Sequence, residues 1–209
     1  MSSRDDVLGR LRVALHDVPP TEATADVAVR RDYRRSTPAD ADLFAERVED
    51  YRAVVRRVAD GDVPAAVAAC VQARGGPFVA PAGLPDEWLS ALDGAVARDD
   101  GGLSHDELDT TSGVVTGCAV AITETGTIVL DGGPAQGRRA ITLVPDYHLC
   151  VVLADQVVGS VPEALGRLDP TRPLTFISGP SATSDIELER VEGVHGPRTL
   201  EVILVSRPE

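Results

Sequence analysis

Apolar positions recur at helical spacing through the first part of the chain and fall into short, dense runs in the second. Over residues 3–16, Val7, Leu8, Leu11 and Leu15 predict a short helix that Pro19 and Pro20 stop. Residues 19–39 are polar, with Arg30, Arg31, Arg34 and Arg35 around Tyr33, and read as an arm or linker. From about Asp40 to Ala59, the stripe Leu43, Phe44, Val48, Tyr51, Val54, Val55 and Val58 predicts a longer helix. Residues 63–73 read as another helix, Pro77–Ala80 as a strand and Pro85–Leu92 as a helix. Asp99–Gly102 reads as a loop. Ser104 with Glu107 forms a capping-box pattern in front of a helix at 105–112.

The texture changes at Gly117. Two apolar runs, Cys118–Ile122 and Thr127–Leu130, flank Thr123-Glu124-Thr125-Gly126 and predict a hairpin. Residues 141–144, 149–154, Leu174–Ile177 and Leu200–Val205 read as further strands, and 162–168 as a helix with Ser160 as its cap. Strands interspersed with helices imply an α/β fold. Residues 118–205 are expected to supply most of the sheet, with the 40–59 helix across one face. The division expected is an N-terminal helix and polar arm at 1–39 and an α/β domain at 40–209.

Composition narrows the chemistry. Hydrophobic residues make up 43% of the 209-residue chain, enough for a real core. A net charge of −13 disfavours nucleic acid and anionic lipid as partners. No apolar run approaches the roughly 20 residues of a membrane span, and the N-terminus lacks an apolar signal segment. All 20 basic residues are arginine, which removes lysine Schiff-base and Walker-type chemistry. Cys70, Cys118 and Cys150 are too few and too far apart in sequence for a disulfide framework, a zinc site or an iron–sulfur cluster. They suit small buried hydrophobes in a reducing cytosol, so a cytoplasmic location and no cofactor in this chain are expected.

Three loops carry candidate chemistry. Thr123-Glu124-Thr125-Gly126-Thr127 combines a turn glycine with hydroxyls and a carboxylate placed to act as nucleophile or base; an ordinary solvent-facing turn has the same composition. Ser178-Gly179-Pro180-Ser181-Ala182-Thr183-Ser184-Asp185 follows a strand and offers backbone N–H groups and hydroxyls to an anion, or serves as a capped connection. His195 lies between Gly193 and Gly196, with a side chain suited to proton transfer near neutral pH or to a structural hydrogen bond. His148 reads as packing at a sheet end. Gly132–Arg139 reads as a connection beside the site, with Arg138 meeting an acid. The expected pocket for a small carboxylate or acyl group is built from Glu124, Thr125, Gly126, Thr127, Ser178, Gly179, Ser181, Asp185, His195 and Gly196. In it Glu124 and His195 are the chemical groups and Asp185 holds its own loop.

The run Gly117–Thr127, with "SGPSATSDIE" at 178–187 and "GVHGP" at 193–197, resembles the LUD-domain family and its lactate-utilisation C branch. The match is dense over 109–205, and the N-terminal half is similar only in layout. Ala182 stands where the family commonly has Arg and Ser184 where Ala is usual, which weakens carboxylate binding by that loop. The resemblance implies a fold similar to the CoA-transferase and ribose-phosphate-isomerase group. It also implies a cluster-free subunit that works with iron–sulfur partner proteins in oxidising L-lactate to pyruvate. Two other readings fit the residues: an acyl or CoA transferase with Glu124 as nucleophile, and a small-carboxylate binding module.

Overall fold

The structure is a computed structural model that describes residues 2–19, 28–92, 94, 96–180, 182–183, 191–192 and 195–206. The chain divides into two units, residues 1–34 and 35–209. In the first, helix α1 (Ser3–Ala14) starts at Ser2, whose hydroxyl and backbone exchange hydrogen bonds with Asp5 in a capping box. Its Val7, Leu11 and Val13 are exposed.

The second unit is built on a six-stranded, wholly parallel sheet. Its strands are, in order across the sheet, β1 (Val54–Ala59), β12 (Thr199–Ser206), β7 (Tyr147–Leu153), β4 (Gly113–Thr116), β2 (Phe78–Pro81) and β3 (Val96–Asp99). A parallel sheet is covered on both faces, so its central strands read as unbroken apolar runs. Leu149, Val151, Ile203 and Val205 face helix α3 (Val63–Arg74), while Cys150, Val152, Leu200, Val202 and Leu204 face the opposite side. There a second sheet is stacked, order β8-β5-β6-β9, from β5 (Val120–Ile122), β6 (Thr127–Leu130), β8 (Val157–Val158) and β9 (Thr175–Ile177). Helix α5 (Val161–Arg167) covers its outer face through Ala164, against Val120, Ile122 and Val129. The layers run helix, sheet, sheet, helix. Helix α2 (Ala41–Asp50) adds Phe44, Ala45 and Val48 to the core between the sheets.

Five sequence expectations change. The 40–59 helix ends at Asp50. Tyr51 caps it, Arg52 takes a left-handed φ of 68°, and Val54–Ala59 becomes edge strand β1, paired with β12. Val54, Val55 and Val58 are β-branched and fit a pleated surface, but their spacing also matches a helical period. The 85–92 helix is only a 3-10 turn at Asp86–Leu89, and 141–144 is not a strand: Ile141 and Thr142 end a 3-10 turn at Arg139–Thr142. Helix α4 (His105–Asp109) stops short of residue 112, although its Ser104–Glu107 capping box forms as read. Finally, four of the six main-sheet strands precede Gly117, so 118–205 supplies the whole second sheet but only β7 and most of β12 in the first.

Candidate functional site

The hairpin β5–β6 forms as expected, and its turn is a hub of local bonds. Thr123 exchanges hydrogen bonds with the backbone of Asp40 ahead of α2, at 3.2 and 3.0 Å. Gly126 has φ +57°, and its missing Cβ leaves room for the backbone of Arg47. Thr125 and Thr127 share a hydroxyl bond at 2.7 Å, and Thr127 shares another with Ser178 at 2.7 Å. Gly179, at φ +89°, is packed against Tyr51, one turn beyond Arg47. Both signature loops are thereby fastened to one edge of α2. Glu124 is exposed, and its backbone N–H donates to the Gly159 carbonyl at 3.1 Å.

A cleft of about 350 Å³ opens between the two sheets where β7 and β12 begin. Ser178, Gly179, His195 and Gly196 line it, together with Arg139, Thr142, His148, Thr175 and Leu200. The structure therefore gathers two of the three signature loops. Among the described residues, Thr125 and Thr127 connect to the cleft through Ser178, while Glu124 and Gly126 do not line it. Ser181 and Asp185 lie outside the described residues. Strand β10 (Ala182–Thr183) pairs antiparallel with β11 (Val191–Glu192).

Arg139 and His148 dominate the cleft. Arg139 donates to Thr142 Oγ1 at 3.1 Å and to the His195 carbonyl at 3.4 Å. Among the described residues no carboxylate pairs with it. The neighbouring Arg138 does meet an acid, gripping the buried Asp99 at 2.8 and 3.1 Å and also the Leu103 carbonyl. Arg138 holds the Asp99 carboxyl below its usual range. A second cleft of about 500 Å³ lies over the ends of β2 and β3 and shares Arg139, Thr142 and Thr175 with the first. The loop read as a mere connection thus delivers the cation of the site. The adjacent pair Arg138-Arg139 was the available signal, but one-dimensional pattern does not tell which arginine is neutralised.

His148 is almost wholly buried, with Nε2 at 2.7 Å from the buried Thr116 Oγ1. Burial, reinforced by the charge of Arg139, lowers its pKa to about 4. The sequence places it at a sheet end between the core residues Tyr147 and Leu149, and it also lines the cleft. The depressed pKa has a consequence for stability. Between pH 6.5 and 4 the unfolded chain binds a proton here that the native state does not, so stability falls as pH drops through that window. The full effect is roughly 3 kcal/mol. In His148→Gln, melting temperature is expected to lose most of its slope between pH 6.5 and 5; an unchanged slope refutes the assignment.

The fold and cleft define a two-sheet α/β protein with an arginine-bearing site. Residues 85–205 match the LUD domain. The chain is 51% identical over 169 residues to lactate utilization protein C of Deinococcus radiodurans, covering 78% of each sequence. It is 32% identical over 135 residues to the protein of the same name from Geobacillus thermodenitrificans, covering 59% of this chain and 55% of that one. A crystal structure of a DUF162 family protein from Deinococcus radiodurans aligns with a TM-score of 0.65 at 42% identity, over 78% of this chain and 94% of that one. The chain belongs to the LUD-domain family.

Proposed function

We propose that this protein takes part in lactate utilisation and that its inter-sheet cleft holds a small carboxylate. One observation carries the reading: on a chain of net charge −13, the described lining residues include Arg139, two imidazoles and three hydroxyl side chains, and no carboxylate. An acidic chain that sets an arginine with no carboxylate partner among the described residues in a concave site suits a single anionic group. The names of its relatives supply the substrate field. Oxidising L-lactate to pyruvate releases two electrons and two protons. In this reading the electrons go to iron–sulfur partner proteins, and this chain, with three cysteines buried apart from the cleft, carries no cluster. The same proposal takes the architecture as a variant of the CoA-transferase and ribose-phosphate-isomerase type; its parallel sheet flanked by helices supports that. Glu124 lines neither cleft, so the acyl-transfer reading gains no support from the geometry.

The test is calorimetric. Pyruvate and L-lactate are expected to bind the wild-type chain, and lactamide, which lacks the charge, is not. Arg139→Ala should weaken binding roughly 10- to 150-fold, the range for losing a charged hydrogen bond. Equal affinity for lactate and lactamide, or an unaffected Arg139→Ala variant, overturns the proposal.

A further inference from the structure

The hydrogen-bond inventory around His148 goes one step further, resting on the carboxylate reading of the cleft. Thr116 is fully buried on β4, and its hydroxyl meets Nε2 of His148 at 2.7 Å. A buried hydroxyl carries one hydrogen and costs free energy if that hydrogen finds no acceptor. Nε2 is the side-chain partner at hand, so Thr116 donates to it. The ring proton of a neutral imidazole then resides on Nδ1. Burial and Arg139 together oppose a second proton. His148 lines the cleft, and with Nε2 taken by Thr116 its Nδ1–H is the ring donor left for a ligand. Thr142, beside it, cannot play this part as readily, because its hydroxyl already donates to the Arg139 carbonyl and accepts from the Arg139 guanidinium.

We propose that His148 is a specificity-determining donor: with Arg139 on the ligand carboxylate, the Nδ1–H of His148 takes the oxygen on the adjacent carbon, so that the cleft selects 2-hydroxy and 2-oxo acids over plain alkanoates. Thr116 is the positioning residue that fixes the tautomer. A neutral donor suits this task because it binds a hydroxyl or carbonyl oxygen without creating a second site for a carboxylate. A donor left without its acceptor penalises a ligand that lacks the oxygen, which is how a polar site rejects an apolar analogue.

Calorimetry with pyruvate, L-lactate and propionate tests it, alongside 15N-resolved NMR of the histidine ring. In the wild type, both oxygenated acids should bind at least about 10-fold more tightly than propionate, and His148 should show the proton on Nδ1. His148→Phe should bind all three acids alike. Thr116→Val keeps the ring and removes the hydroxyl; it should release the tautomer and shrink the discrimination, a readout that loss of packing alone would not produce. A proton on Nε2 in the wild type, or discrimination retained in either variant, overturns the inference. Equal wild-type binding of all three acids, abolished in Arg139→Ala, overturns this inference alone. Failure of all three to bind overturns the carboxylate reading with it, while the NMR result still reports the tautomer.

Discussion

Gly159→Ala is expected to lower stability by about 4 kcal/mol, near the upper end for a single core insertion. Gly159 is buried between β8 and α5, and a Cβ there would overlap the carbonyl of Thr37, with that of Pro38 at 2.9 Å. Neither obstacle is a flexible side-chain tip, so the segment 35–40 must move as a whole. That segment is tied down at several points. Ser160 Oγ donates to the Arg35 carbonyl at 3.2 Å, the Thr37 N–H donates to Glu163 at 3.2 Å, and Asp40 is bonded to Thr123. For a chain of this size the loss corresponds to a melting temperature lower by roughly 10 °C. The released segment begins with Arg35, so trypsin should cut there sooner in the variant than in the wild type. A melting temperature within about 2 °C of wild type, with unchanged cleavage, would show that the close packing is absent in solution.

The second large effect is expected at Glu201. This carboxylate sits inside the parallel sheet on β12, the strand next to edge strand β1, facing α3, where a side chain is ordinarily apolar. Tyr147 donates to it at 2.7 Å, Cys70 at 3.3 Å, and Arg56 reaches it from edge strand β1. Burial alone pushes its pKa up, but the bonds from Tyr147, Arg56 and Cys70 outweigh burial and the net direction is down. The same cluster, by burial first and the Glu201 charge second, pushes the Cys70 thiol up to about 11. Removing one member of a buried ionic cluster costs about 3–5 kcal/mol; Arg56 is half-exposed and regains water, which favours the lower figure. Glu201→Leu should therefore lose about 3 kcal/mol by chemical denaturation. Much of that is the stranded Tyr147 hydroxyl, so Tyr147→Phe combined with Glu201→Leu should be less destabilised than the two single variants sum to. Because the native pKa is depressed, the stabilisation is present above pH 4.5 and is lost as pH falls through the native value. Additive energies, or no acid dependence, would remove the cluster from the stability of the sheet.

Several elements were legible because their signals are local. Helix α1 follows from apolar residues at helical spacing, the α4 start from its Ser104–Glu107 capping pair, and the β5–β6 hairpin from two apolar runs about Gly126. The second half of the predicted long helix was not legible. Arg52 marks the break, but a left-handed arginine has no signature of its own, and Val54–Ala59 becomes a strand only because β12 lies beside it. β3 and β4 were missed for a similar reason: four-residue strands take their stability from neighbours rather than from internal periodicity.

The family signatures and the absence of lysine are properties of the sequence by itself. So is the presence of signature loops rich in glycine and hydroxyls, because each depends on which residues stand next to each other. Tertiary structure alone decided which of these loops meet. Ser178 and His195 share a cleft with Arg139 and His148, two residues drawn from segments read as a connection and as packing, while Glu124, whose N–H is bonded to Gly159, is not among the residues that line it. The physical reason lies in sheet stacking. Whether a side chain on a strand faces the core or a cleft depends on where the second sheet ends over the first, and that edge is set by residues far away in the chain.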